Sequence, residues 1–124
     1  MRSAVEAAVG TYIRAASERD PEVRAALLEA CFADDVRMIA RSRELRGRAA
    51  LADEIARGLA DPQFLGIRIA SVIDAGESTF RFQSVLERRD GTSLEFFDAG
   101  LVDATGRISL ILTFGGPLGP ARDG

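Results

Sequence analysis

The sequence predicts an α+β domain with helices first and an antiparallel sheet after them. Three observations carry this expectation. Apolar residues recur at helical spacing in the first third of the chain and again from Arg48 to Ala60. From Phe64 onward the period changes to two, and short glycine-containing turns join the later stretches.

The first helix is expected from about Ser3 to Ser17, where Val5, Ala8, Val9, Tyr12, Ile13 and Ala16 form one apolar stripe. Asp20-Pro21-Glu22 then supplies a cap, a first-turn proline and an acid against the helix dipole. In this second helix Val23, Leu27, Ala30 and Cys31 are the expected buried side. Phe32 to Asp35 closes the helix, and a short strand follows from Val36 to Ala40, with Val36, Met38 and Ala40 alternating with Arg37 and Ile39. Between Arg37 and Arg48 five arginines stand against one acid, Glu44. A solvated rim is the ordinary explanation. The functional one is that Arg41, nearest the strand end, guides an anionic group such as a carboxylate or a phosphate. Gly47 precedes a third helix, about Arg48 to Ala60, whose apolar face is Leu51, Ala52, Ile55 and Leu59, and Asp61-Pro62 ends it.

Four long strands are expected next: Phe64 to Ile73, Thr79 to Arg88, Leu94 to Asp103 and Arg107 to Phe114. The turns Ala75-Gly76, Asp90-Gly91 and Ala104-Thr105-Gly106 are short enough to make the sheet a meander. Both parities of the last two strands are partly apolar, so each sheet face needs a cover. Helices supply one, and a second subunit is the simplest source of the other, which predicts a homodimer through the outer face. Residues 1–117 are expected to form one domain, and residues 118–124, rich in proline and glycine, a flexible tail.

A chain of 124 residues supports one core. Charges interrupt every apolar stretch before the ~18 residues that a bilayer span needs, and the start is amphipathic rather than signal-like. We therefore expect a cytoplasmic protein with no membrane partner. All 16 basic residues are arginine and the net charge is -3, which argues against a nucleic-acid surface. Cys31 has no cysteine to pair with, and the absence of histidine excludes Ser-His-Asp and Cys-His catalysis and the usual zinc sites. No metal and no cofactor is expected. Chemistry must rest on carboxylates, one phenol, arginines and backbone groups.

Asp98 is the acid that stands out. With period two it shares a face with Leu94, Phe96, Gly100 and Val102, so if that face lines an interior its carboxyl is poorly hydrated and resists ionising. Tyr12, the single tyrosine, falls on the inward stripe of the first helix, where the ordinary reading is a core residue bonded to backbone. One of Gln83 and Ser84 enters the same interior, and parity alone does not say which.

The order of elements and several phrases resemble the nuclear transport factor 2-like superfamily, in particular its SnoaL-like and ketosteroid-isomerase-like branch. The phrases are Thr11-Tyr12-Ile13-Arg14-Ala15-Ala16 with Glu18-Arg19-Asp20, Phe32-Ala33-Asp34-Asp35-Val36, Leu45-Arg46-Gly47-Arg48-Ala49-Ala50-Leu51, and Phe97-Asp98 through Asp103 to Arg107-Ile108 and Phe114-Gly115. The resemblance implies a cone: a curved antiparallel sheet of four long strands plus a short N-terminal strand or two, wrapped around three N-terminal helices, with an apolar pocket at one end. It places the isomerase's oxyanion tyrosine on Tyr12 and its protonated aspartic acid on Asp98, the pair that stabilises an enolate in ketosteroid isomerase. Its general-base position falls on Ala40, which carries no exchangeable proton.

The pocket walls expected from this are Met38, Ala40, Phe80, Phe82, Phe96 and Val102, and the expected ligand is a hydrophobic small molecule with a carbonyl group, bound without ordinary isomerase chemistry. The alternative is a cofactor-free polyketide cyclase, isomerase or dehydratase that uses Asp98 and Tyr12, with Asp98 as oxyanion donor or as the base. An epoxide-hydrolase-like Asp-Arg-Asp set is disfavoured, because Arg81 lies opposite in parity to Phe80 and Phe82 and points outward.

Overall fold

The computed structural model describes residues 3–122; residues 1–2 of the expected domain and 123–124 of the expected tail lie outside the described residues. Ser3 opens the first helix, α1 (Ala4–Ala16), by accepting a hydrogen bond from the Glu6 amide at 3.1 Å. Asp20 does the same for α2 (Pro21–Cys31), accepting from Glu22 at 2.9 Å and Val23 at 3.4 Å. Both helices start where their caps predict.

The buried side of α2 differs from the expected one. Leu28 and Cys31 are buried and Leu27 half-buried, whereas Val23 and Ala30 are exposed. This helix carries apolar residues on more than one side, so the positions of α1 and the first strand choose its inner face. That strand, β1 (Phe32–Ile39), begins directly at the end of α2, four residues before the expected start. A register shift between Phe32 and Arg37 lets Asp34 and Asp35 stay exposed while Phe32, Ala33 and Val36 are buried.

The chain continues through β2 (Glu44–Arg46) and α3 (Arg48–Ala60), the latter entered through Gly47 at φ +92°. Then follow β3 (Phe64–Ile69), β4 (Asp74–Ala75), β5 (Thr79–Arg88), β6 (Ser93–Val102) and β7 (Ile108–Gly115). The strand expected from Phe64 to Ile73 is therefore shorter. It stops at Ile69 because the Ser71 hydroxyl, in place of a ladder carbonyl, accepts from the Gln83 amide at 2.7 Å. β4 rejoins β5 opposite Arg81 and Phe80.

These strands form one curved, unclosed sheet in the order β2-β1-β7-β6-β5-β3, with β4 also paired to β5. β5, β6 and β7 make the expected meander. Beside it β1 runs parallel to β7, the one departure from antiparallel pairing. The core fills the concave side, where Val5, Val9, Tyr12 and Ile13 of α1, Leu28 of α2 and Leu51 of α3 meet Phe82, Val102, Ile108 and Ile111 of the sheet. Arg19 ties the end of α1 to this frame: it donates to the Leu59 carbonyl at 2.8 Å and the Phe64 carbonyl at 3.2 Å, and its guanidinium lies 5.7 Å from the Phe64 ring centre. No described helix is long and apolar enough to cross a membrane.

Gly100 sits where β5, β6 and β7 come closest on the inner face. A Cβ there would collide with the Leu110 carbonyl oxygen and lie 2.6 Å from Phe80 Cζ. We expect Gly100→Ala to destabilise the fold by about 2 kcal/mol or more in urea unfolding, the cost of overpacking a filled site. Gly66→Ala, with nothing within 4 Å of its added carbon, is the control. Equal effects of the two would show that the strands separate at no cost.

Candidate functional site

Asp98 projects from the middle of β6 onto the concave face and is 4% exposed. Phe82 faces it from β5 and Thr113 from β7, with Phe96 and Gly100 before and after it on its own strand. The Thr113 hydroxyl donates to Asp98 Oδ1 at 2.6 Å. Burial opposes the carboxylate charge and Thr113 favours it; burial wins, and the carboxyl is pushed up from an ordinary 3.8 to about 6. Asp98 thus exchanges its proton close to neutral pH.

Tyr12 approaches from α1, 8% exposed, its ring tilted 46° against Phe32 with centres 5.3 Å apart. Burial first, then the Asp98 charge and Cys31, raise its phenol well above the usual value. It stays a neutral donor.

Tyr12 makes no backbone bond of the kind expected for a core tyrosine, and its hydroxyl has no hydrogen-bond partner among the described residues. Asp98 Oδ2 likewise has none beyond the Thr113 bond at Oδ1. Yet among the described residues no fully enclosed side-chain oxygen lacks a partner. Both oxygens therefore reach accessible space.

Two cavities flank this pair. The larger, about 990 Å³, wraps the rim where β5, β6 and β7 end: Ser84, Phe96 and Gly115 line it from the inner parity, Phe97 and Phe114 from the outer, with Arg41, Ala70, Glu95 and the segment 116–119 around its edge. The smaller, about 470 Å³, lies between Glu6 at the start of α1 and the residues around β4, and Phe82 and Arg81 reach it. Neither is lined by Asp98 or Tyr12. The acid lies one register step deeper than the larger cavity, since Ser84 pairs with Phe96 and the next inner pair is Phe82 with Asp98.

Of the expected walls, Phe96 lines the larger cavity and Phe82 the smaller, while Met38, Ala40, Phe80 and Val102 line neither. Phe80 and Val102 are core residues, Phe80 packing over Gly100 and 6.0 Å from the Phe82 ring centre. Met38 sits between Leu45 and Ile111 against the core. Ala40 follows β1, half-buried, its amide donating to the Arg43 carbonyl at 2.9 Å. Ser84 is the inward member of the Gln83–Ser84 pair, at 2% exposure.

Four of the five arginines near β1 are engaged. Arg37 and Arg46 converge on Glu44 at 2.5 and 2.9 Å and hold its carboxyl low, Arg43 pairs with Glu54, and Arg48 binds Asp34 at 2.9 Å and the Phe32 carbonyl at 3.1 Å. Arg41 has no such partner among the described residues and borders the larger cavity. Arg81 points outward, as expected, and pairs with Asp74 at 2.7 Å. Burial pushes the Cys31 thiol up to about 12, which leaves it inert. No three potential metal-ligating side chains cluster among the described residues.

Thr113 was not anticipated from the sequence. Counting back along the hairpin from the Val102–Ile108 pair sets Leu112 opposite Asp98, but a register shift between Leu101 and Val102 brings Thr113 there instead. The polar residue at position 113 was the available signal; the bulge concealed it.

Several solved structures share this fold. A candidate isomerase of the SnoaL-like family from Agrobacterium tumefaciens str. C58 superposes with a TM-score of 0.82 at 21% identity, covering 94% of this chain and 100% of that one. An NTF2-like protein of unknown function from Exiguobacterium sp. 255-15 gives a TM-score of 0.68 at 15% identity, covering 90% and 99%. A de novo designed protein with a curved β-sheet gives 0.76 at 15%, covering 94% and 88%. No protein-family model matches the sequence, and no curated protein matches it. The chain has the cone fold of these SnoaL-like and NTF2-like structures.

Two outcomes follow for Asp98. Its raised pKa means the native state keeps a proton that the unfolded chain loses between about pH 4 and 6, so stability falls as pH rises through that window by up to about 3 kcal/mol. Glu44, Asp90 and Asp103 are shifted downward and act oppositely, at lower pH. Urea unfolding across pH should therefore show the fall in wild type and its loss in Asp98→Asn. In Thr113→Val, which removes the donor, carboxyl-carbon NMR should find the Asp98 pKa above about 6; an unchanged value would mean that the hydroxyl does not stabilise the charge.

Proposed function

We propose that the inner end of the cone binds a small apolar compound through a carbonyl group, without the two-carboxylate proton shuttle of the isomerase. The observation that carries this reading is that two oxygens of the apolar interior have no hydrogen-bond partner among the described residues: the Tyr12 hydroxyl, held neutral, and Asp98 Oδ2, on a carboxyl pushed up to about 6. Below about pH 6, where Asp98 holds its proton, both groups donate to a neutral acceptor oxygen; above it Tyr12 alone does. Phe96, next to Asp98 on the same face of β6, lines the larger cavity. Ala40 offers no base, so any proton transfer falls to Asp98 alone.

One feature favours a second reading, a cofactor-free acid-base enzyme of the cyclase, isomerase or dehydratase type. Asp98 titrates near the pH at which a general base is most effective, because Thr113 offsets part of its desolvation. The structural neighbour from Agrobacterium tumefaciens, described as a candidate isomerase, is compatible with either reading.

The chain has one tyrosine and no tryptophan, so its intrinsic emission reports Tyr12 alone. We expect 2-tetralone, a small apolar ketone, to quench that emission on binding, and Tyr12→Phe to bind it about tenfold more weakly by calorimetry. Absence of binding removes the proposal. Deuterium exchange next to the carbonyl then separates the readings: exchange above buffer that vanishes in Asp98→Asn, with binding kept, makes the protein an enzyme. Binding without exchange makes it a binding protein.

We also propose a homodimer through the outer sheet face. Phe114 is 56% and Leu101 41% exposed there, on the parity shared by Phe97, Leu110 and Leu112. Light scattering at micromolar concentration should give twice the chain mass, and Leu101→Glu should halve it. A monomeric wild type contradicts the proposal.

A further inference from the structure

We infer that the larger cavity takes a monoanion: an apolar molecule whose carboxylate or related acidic group is held by Arg41 at the rim while its neutral end points inward. The inference rests on the preceding reading of the interior as a ligand site and adds the charge of the ligand and its orientation.

Charge selects Arg41. It follows β1 at the cone's open end, where its neighbours Arg37, Arg43, Arg46 and Arg48 are neutralised by Glu44, Glu54 and Asp34. Arg41 has no ion-pair or hydrogen-bond partner among the described residues, and it is the one cation among the residues lining the cavity of about 990 Å³. Glu44, Glu54 and Asp34 serve the other four arginines, and Arg41 is left at the edge of a largely apolar cavity.

The cavity itself sets the orientation. Its body is apolar, with Phe96 and Phe97 on the walls, and its inner wall ends at Ser84, 2% exposed and without a hydrogen-bond partner among the described residues. One step deeper is Asp98, which as a carboxylate repels a second negative charge and as a neutral acid supplies no cation to hold one. An anionic group can therefore sit only at the rim. Glu95, also on the edge, lies on the outer parity opposite Val85 and opposes an anion on that side, which leaves the Arg41 side as the place for it. A planar guanidinium binds a carboxylate or sulfonate through two parallel N–H···O bonds and remains charged at any working pH.

The test uses two probes with the same aromatic body, 1-anilinonaphthalene-8-sulfonate, an anion, and N-phenyl-1-naphthylamine, its neutral counterpart. Wild-type protein should bind the anion at least about fivefold more tightly, the scale of one charge-assisted contact at a partly exposed rim. Arg41→Gln should lose that preference while keeping its affinity for the neutral probe, and Arg41→Lys should restore part of it. Arg14→Gln, at an exposed cation on α1 that lines neither cavity, should leave the preference intact, showing that the probe is not read at any surface arginine. If both probes bind but Arg41→Gln changes nothing, the anion site is wrong while the pocket stands. If neither binds, both readings fall.

Discussion

The close approach of three strands at Gly100 is the constraint on which the interior depends. The absent side chain lets the Phe80 ring lie directly over β6 and lets the Leu110 carbonyl come near from β7. One register step beyond it, the shift between Leu101 and Val102 adds twist. Together they curve the middle of the sheet around the helices, and a curved face leaves an interior space where a flat one would be filled. Asp98 lies two residues before Gly100 on the same face. The acid is therefore set beside this close contact and is buried with it.

That placement explains why Asp98 and Tyr12 belong to one problem. Each oxygen has been taken out of bulk water, and each retains a lone position that no described protein group fills. A buried polar atom without a partner is costly unless something else, such as water or ligand, satisfies it. Both oxygens reach accessible space in which water or a ligand can satisfy them, a pattern that fits a binding site better than a core. Thr113 moderates the cost for Asp98 by stabilising its charge, and so keeps the carboxyl able to exchange a proton.

The rim obeys a different rule. There the side chains are solvated, and ion pairs decide which charges remain available. Glu44 serves two arginines at once, which is why its carboxyl is held low, and Glu54 and Asp34 serve two more. The arrangement makes a largely neutral collar with one unmatched cation at a cavity edge. A cation at the mouth and an acid deeper in give the interior a polarity along its length.

Much of the fold was legible in the chain because its signals are local. Ser3, Asp20 and Gly47 mark helix starts through their own hydrogen bonds or backbone angles, and the period of two after Phe64 follows from the pleat of a strand. The inward parity of Asp98 was likewise readable, since Phe96, Gly100 and Val102 share it. What the sequence could not decide was register. The shifts in β1 and β6 are each a single-residue event with no composition signature, yet they determine that β1 starts at Phe32 and that Thr113, not Leu112, meets Asp98. Nor could it tell which side of α2 is buried, or that Phe80 and Val102 would be spent on the core instead of a cavity wall. Those outcomes depend on where other elements lie, and only the packed tertiary structure supplies that information.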